Sequence, residues 1–333
     1  MSNNRDMKYN YILYNMETAD KWLIYKDLLN LDNVRMCKGA IPTNNPLLHK
    51  LHKLHWAAKL NSKINLPFKK LWFKKMTNGK FGNNKPTCFV LFGGQYGIRD
   101  PRLLDYMKKI NPENKVAIHY RDLIEPNAKH IDMLKSKSDI IYTYNKSEVE
   151  KYGVEYFCSY IYSRCHEVTT PKEFKYDVYF VGYSKGRLDF LKDLCAHLTD
   201  NGVKCMFKIA GVPEENRSQQ EGIVYLDKPI PYEQVVKEIQ DTRCILELLQ
   251  PGSDGATMRS IEAIAYKRKL LTNGKNISER DFYSDIQMHE IDEIENIDIE
   301  FLKSPLPYDE FLSVDYFSPE RELIYLEDFF KDK

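Results

Sequence analysis

Residues 245–265 read ILELLQPGSDGATMRSIEAIA, and residues 267–273 read KRKLLTN. The order is an apolar run, a turn punctuated by Pro251, Gly252 and Gly255, a helical stretch and a second apolar run. Short apolar runs bounded by such residues predict buried strands. A turn opening onto a helix presents backbone N–H groups and the positive end of the helix dipole, the geometry that binds phosphate. Asp254 and Glu262 stand eight residues apart, with Arg259 between them. With the helix starting near Gly255, Glu262 lies two turns in, about 10 Å along the axis. A carboxylate, a cation and a phosphate-binding turn thus fall in one segment. The same residues also suit an ordinary helix start with Ser253 or Asp254 as its cap.

The strand–helix pattern extends both ways from this segment. Beyond a polar stretch at 169–175, strands are predicted over 176–182, 203–210, 224–226, 245–249 and 270–272, with helices over 187–198, 232–240 and 256–265. Upstream, strands are predicted over 9–15, 88–92, 116–119 and 139–142, with helices over 19–31 and 103–110. Such alternation builds a parallel sheet. The pattern restarts after 169–175, read as a linker, so the fold expected is α/β with two Rossmann-like domains, 1–170 and 171–317, facing across a cleft. Residues 45–80 read as a basic helical insertion broken at Pro67. Residues 318–333 are expected to form a helix, with Pro319 in its first turn, that packs back on the first domain.

The 333 residues suffice for two cores. The formal net charge of +1 hides an asymmetry. Residues 1–85 hold 16 Lys/Arg and 5 Asp/Glu, whereas residues 277–333 hold 5 Lys/Arg and 17 Asp/Glu, so the two ends are expected to attract one another or the basic end to face an anionic partner. No apolar run approaches the ~20 residues that cross a bilayer. The start, MSNNRDMK, lacks the apolar stretch of a signal peptide, and a cytoplasmic protein is expected. Seven scattered cysteines with no Cys-x-x-Cys pair fit a reduced, buried set.

Taken together, DVYFVG at 177–182 with Arg187, FKIAG at 207–211, Tyr232 with Glu233, and GATMRSIE at 255–262 followed by KLLTN at 269–273 resemble bacterial glycosyltransferases of the GT-B fold, the kind encoded with capsule and lipopolysaccharide genes. The likeness runs from about residue 88 onward. It implies a C-terminal domain that binds a nucleotide-sugar donor and an N-terminal domain that binds a glycan or lipid-linked acceptor. It also implies no resident cofactor and no metal. Many retaining members carry two Glu separated by seven residues; Asp254 and Glu262 have that spacing with Asp first, so retaining and inverting transfer both stay open.

Glycosyl transfer must stabilise a departing nucleoside diphosphate and an oxocarbenium-like sugar, and must hold an acceptor hydroxyl for attack, often beside a base. For the donor, the resemblance points to Gly182, Lys185, Arg187, Lys208, Tyr232, Ser253, Thr257, Met258 and Arg259, with Glu262 accepting ribose hydroxyls. For the acceptor, Gly93 and Gly94 end a strand where a ligand approaches the backbone closely, and Arg121 follows the next strand. His119 and Asp122 sit at a predicted strand's C-terminal end, where open α/β sheets bind ligands, and are candidates for the base. A structural His119 is the stronger alternative. Asp254 is the third catalytic candidate.

Other motifs carry less. His49, His52 and His55 recur at spacing three, but no nearby Asp, Glu or Cys completes a metal set. Asp298 and Glu300 lie in the acidic tail after the α/β pattern has ended. Residues 66–76 (Leu66 to Met76) read LPFKKLWFKKM; Phe68, Leu71 and Trp72 fall on one helical face and Lys69, Lys70 and Lys74 elsewhere, which suits peripheral attachment to an anionic membrane surface. The basic segment has no recognisable nucleic-acid-binding motif, and no nucleic-acid partner is expected. Two competing functions remain: a non-catalytic nucleotide-sugar-binding scaffold and a dinucleotide-dependent oxidoreductase. The second needs Gly-x-Gly-x-x-Gly after the first strand, which GGQYG at 93–97 does not supply.

Overall fold

In the computed structural model the chain divides into two compact units, Met1–Ser159 with Pro319–Lys333, and Tyr160–Ser318. The structure describes residues 7–14, 16, 19–37, 45–61, 63–64, 66–93, 95–158, 161–164, 166–250, 257–280 and 282–331. The fold is α/β, as the alternation predicts: each unit holds its own six-stranded sheet, and every strand pair is parallel.

The first unit contains β1 (Asn10–Tyr14), β2 (Val34–Met36), β3 (Thr87–Phe92), β4 (Lys115–Tyr120), β5 (Ile140–Thr143) and β6 (Glu155–Tyr156), ordered β2-β1-β3-β4-β5-β6. The second contains β7 (Tyr176–Tyr183), β8 (Cys205–Ala210), β9 (Ile223–Leu226), β10 (Thr242–Glu247), β11 (Lys269–Thr272) and β12 (Met288–Glu290), ordered β12-β11-β10-β7-β8-β9. Central strands covered on both faces need apolar side chains throughout. Phe89, Val90 and Leu91 of β3 and Cys244, Ile245 and Leu246 of β10 are accordingly fully buried. The core of the second unit gathers Val178, Phe207, Ile209 and Leu271 with Leu191, Leu194 and Leu198 from the helix Leu188–Asp200.

The order reverses between β7 and β10 in the second unit and between β1 and β3 in the first. At such a reversal the crossover connections leave in opposite directions and open a crevice at the strands' carboxyl ends. In the second unit those ends are Tyr183 and Glu247.

The expected linker at 169–175 is not a free connector. The Thr169 carbonyl accepts from Arg268, its N–H donates to Gln240, and β7 follows at Tyr176. Upstream, Tyr162 shares a hydroxyl contact with Tyr266 at 2.7 Å, and His166 Nε2 bonds the Ala265 carbonyl at 2.6 Å. These bonds tie 161–169 to the second unit, so the chain divides at 159/160 and not at 170.

The helix Glu320–Lys331 belongs to the first unit. Its two buried acidic residues, Glu322 and Glu327, are held by hydroxyls, backbone N–H groups and His119. Glu327 accepts from the N–H groups of Lys8 and Tyr9 and from the Tyr11 hydroxyl. Glu322, fully buried, accepts from the hydroxyls of Tyr142 at 2.5 Å and Tyr25 at 2.7 Å and meets His119 Nδ1 at 2.8 Å. Burial raises the Glu322 carboxyl, and His119 with the two hydroxyls outweighs it, so its pKa falls below the ordinary value.

The basic insertion forms the helices Pro46–His55 and Lys69–Met76, with a short turn Ala58–Asn61 between them. Lys69, Trp72, Phe73 and Met76 make the buried stripe of the second helix. Two expectations for this segment fail. Trp72 turns inward and donates its indole N–H to His55 Nδ1 at 3.0 Å. Lys69 is buried against Asp100 at 2.9 Å. The helical phase starts at Lys69; Phe68 is the residue before it, with a left-handed φ of 62°, so it leaves the stripe and stays exposed. No helix among the described residues is long and apolar enough to cross a membrane.

Candidate functional site

The carboxyl ends of β7 and β10 bring several polar and charged side chains of the second unit together. β7 runs through Gly182 and ends at Tyr183. The chain then turns sharply: the Arg187 N–H donates to the Ser184 carbonyl at 2.8 Å, with Lys185 at φ 43° and Gly186 at φ 77°. Two successive left-handed residues reverse the chain within one turn. Gly186 serves the second position without steric cost, whereas Lys185, at the first, is strained.

Arg187 precedes the helix Leu188–Asp200. Its guanidinium donates to the carbonyls of Tyr183 at 3.0 Å, Ser184 at 3.3 Å and Leu248. The Leu248 bond joins the end of β7 to the residue following β10. Lys185 makes a second bridge, its Nζ donating to Gln250 Oε1 at 3.0 Å. Arg187 is half-buried, and among the described residues it meets carbonyls but no carboxylate. Burial lowers its pKa. A cation that loses water without gaining an anion shifts in this direction.

The helix Met258–Ala265 begins opposite. Its cap is Thr257, whose hydroxyl oxygen accepts from the Arg259 N–H at 3.1 Å. The expected start near Gly255 is therefore too early. Thr257 is itself fixed by Glu247, the last residue of β10, whose Oε1 accepts from the Thr257 N–H and hydroxyl at 2.8 Å each and from the Ser260 hydroxyl at 2.7 Å. Glu247 Oε2 accepts from the Thr272 hydroxyl at 2.9 Å and meets Arg280 Nη1 at 3.3 Å. A fully buried carboxylate thus orders the helix start, the end of β11 and Arg280 together. Its charge also lies at the positive end of the helix dipole.

Several expected donor residues are engaged elsewhere. Glu262 is fully buried, paired with Arg259 and bonded by the Tyr232 hydroxyl at 2.7 Å. Tyr232 reaches on to Tyr162 at 3.1 Å. Burial and the Glu262 charge push the Tyr232 hydroxyl well above its ordinary pKa. In this structure Glu262, expected to accept ribose hydroxyls, and Tyr232, expected to bind the donor, engage one another and Arg259 in an internal network. Arg259 is spent on the same network. Lys208 pairs with Glu238 at 2.5 Å, and Tyr179 donates to the same carboxylate. Met258 is half-buried as the first residue of its helix. Ser253 and Asp254 lie outside the described residues.

In the first unit, Gly93 follows β3 at φ 68° and donates its N–H to the His119 carbonyl at 2.8 Å. His119 is fully buried, stacked on Tyr142 at 4.6 Å and bonded to Glu322. A general base needs access to the proton it removes; His119 has none, and its assignment as base is replaced by a structural one. Asp122 is exposed just past β4, and Arg121 lies 5.7 Å from the Tyr25 ring. Gly94 lies outside the described residues. His52 and His55 pack with Trp72, and no group of three or more metal-binding side chains occurs among the described residues.

Sequence reading missed Glu247 and Arg280. The signal was a lone Glu in the apolar run ILELL at 245–249. A charge inside a central strand requires internal partners.

No family model matches the sequence, and no curated protein matches it. Among solved structures, an alpha-glucosyltransferase in complex with UDP and a 13-mer DNA containing an HMU base overlaps 60% of this chain at 11% identity and TM-score 0.44. This chain spans 63% of that protein's length. The glycotransferase of kitacinnamycin overlaps 97% of this chain and 99% of its own at 9% identity and TM-score 0.40. At these scores the overlap carries no argument about function.

Proposed function

We propose that the protein is a glycosyltransferase of the GT-B type that binds a nucleoside-diphosphate sugar at the carboxyl ends of β7 and β10. The observation that carries this reading is Arg187: a half-buried guanidinium at the topological switch point, surrounded by carbonyls and lacking a carboxylate among the described residues. Lys185 stands two residues away in a strained turn. A diphosphate supplies the anion that these cations lack. As the glycosidic bond breaks, negative charge grows on the departing diphosphate, and fixed cations stabilise that change more than they stabilise the ground state. Glu247 and Thr257 keep the opposing helix start in place.

The finer reading rests on the sequence motifs at 177–182, 207–211 and 255–262, which support a hexosyl donor and a glycan or lipid-linked acceptor of bacterial surface polysaccharide biosynthesis. We assign the acceptor to the first unit around Gly93, Arg121 and Asp122, with exposed Asp122 as the base.

One observation favours a second reading. The order β9-β8-β7-β10-β11-β12 is also that of dinucleotide-binding sheets. From the end of β7 into its turn the chain reads GYSKGR at 182–187, which lacks their three-glycine pattern and places basic side chains beside the turn. A panel of nucleotide sugars, assayed for hydrolysis with and without EDTA, separates the readings. Release of nucleoside diphosphate that persists in EDTA is expected, because Lys185 and Arg187 supply the positive charge. Binding without turnover supports the scaffold reading; NAD(P) binding with no nucleotide-sugar binding supports the oxidoreductase.

A further inference from the structure

A cluster of exposed aliphatic and aromatic side chains lies on the basic insertion. Leu47, Leu51 and Leu54 are 74%, 44% and 52% exposed and follow one stripe of the helix Pro46–His55. Phe68 and Leu71 are 75% and 62% exposed. Leu51, Phe68 and Leu71 line one open groove of about 660 Å³, so the two helices form one apolar face. Phe68 and Leu71 also border an adjoining groove. The left-handed backbone of Phe68 is costly for an aromatic residue, and it holds the ring outward.

The charge around this face has one sign. Residues 33–99 contain 13 Lys/Arg and no Asp or Glu. Lys50, Lys53, Lys63, Lys70 and Lys74 are exposed, and none has a carboxylate partner among the described residues. Contact between this face and a second copy of itself would set lysine against lysine. Nucleic acid would satisfy the charge but would leave the leucines without a partner. An anionic bilayer meets both requirements: headgroups for the lysines and an acyl boundary for the apolar side chains.

We propose that the face formed by Leu47, Leu51, Leu54, Phe68 and Leu71 docks the protein on a membrane surface bearing anionic lipid headgroups. Trp72 takes no part, because it is buried. The proposal does not depend on the glycosyltransferase reading, since vesicle binding is measured without turnover.

The test is flotation of the full chain with phosphatidylglycerol or phosphatidylcholine vesicles at 0.1 M and 1 M salt. Binding to the anionic vesicles at low salt is expected, with loss at high salt as the Debye length falls from about 10 to about 3 Å. Phe68→Ser with Leu71→Ser should weaken binding at least about tenfold, from the lost apolar burial. Both side chains are exposed, so the fold should survive, and circular dichroism checks it. Lys70→Gln with Lys74→Gln should weaken binding and reduce its salt dependence. Equal binding to neutral and anionic vesicles, no binding at low salt, or full binding by the folded F68S/L71S variant would overturn the proposal. So would a wild-type dimer that F68S/L71S converts to monomer without affecting vesicle binding. DNA binding that is lost on charge removal, in a protein that ignores vesicles, would also overturn it.

Discussion

Glu247→Gln is the sharpest perturbation of the second unit. The native carboxylate accepts five hydrogen bonds in full burial: three at Oε1, and at Oε2 one from the Thr272 hydroxyl and one from Arg280. An amide keeps the shape but turns one oxygen into a donor. Placed at the Oε1 position, its nitrogen would face Thr257 N–H and two hydroxyls. Placed at Oε2, it would face Thr272 and strip Arg280 of its counter-charge. The second arrangement loses fewer partners and sets the cost. Two hydrogen bonds to a charged group contribute about 1.5–3 kcal/mol each, and breaking a buried pair costs about 3–5 kcal/mol. A loss of about 3–5 kcal/mol follows, a large share of a domain's ordinary stability. At a typical urea m-value of about 2 kcal/mol/M, the transition should move by about 2 M. All three tryptophans, Trp22, Trp56 and Trp72, lie in the first unit. Far-UV circular dichroism reports both units, so the shift should appear there and largely spare tryptophan emission. Adding Arg280→Gln should cost less than the sum of the single changes, by about 1–3 kcal/mol of coupling. A Glu247→Gln protein that unfolds within about 0.5 kcal/mol of wild type would refute the reasoning.

Acid should destabilise the first unit through Glu322. Its folded pKa lies below the ordinary 4.5, so its contribution is complete above that value and is lost as pH falls through the folded pKa. Tryptophan-monitored urea midpoints between pH 6 and pH 3 should fall, and Glu322→Gln should flatten the slope while lowering the plateau by about 3–5 kcal/mol. Glu262→Ala should act mainly on stability, by about 1–3 kcal/mol, because it leaves half-buried Arg259 without its counter-charge and half-buried Tyr232 without one of its two partners. A thermal midpoint unchanged by Glu262→Ala, with nucleotide binding abolished, would return Glu262 to the ligand.

The sheet strands were legible because parallel strands buried on both faces leave long apolar runs, as in 88–92 and 245–249. β2, β6 and β12, two or three residues long, lack that signal and were missed. The terminal helix was legible from Pro319 at its first turn, but its docking through Glu322 and Glu327 was not, since tyrosine hydroxyls and backbone N–H groups leave no charge pattern. At the candidate site, Lys185 and Arg187 were readable as basic residues after a strand–Gly turn. That Glu262 faces inward depends on where the helix begins, and Thr257 and Glu247 together decide that. The apolar face on 45–76 was readable in composition but not in phase, because left-handed Phe68 stands outside the helix and Trp72 within it.

Calorimetric titration of uridine and guanosine diphosphates into the wild type and Arg187→Gln tests the central claim most directly. Arg187 also bridges three carbonyls, so circular dichroism must first show the variant folded. The account predicts binding of a nucleoside diphosphate by the wild type and at least tenfold weaker binding by the variant, about 1.4 kcal/mol per decade. Tight binding unchanged by Arg187→Gln, or no binding of any nucleoside diphosphate by the wild type, would contradict it.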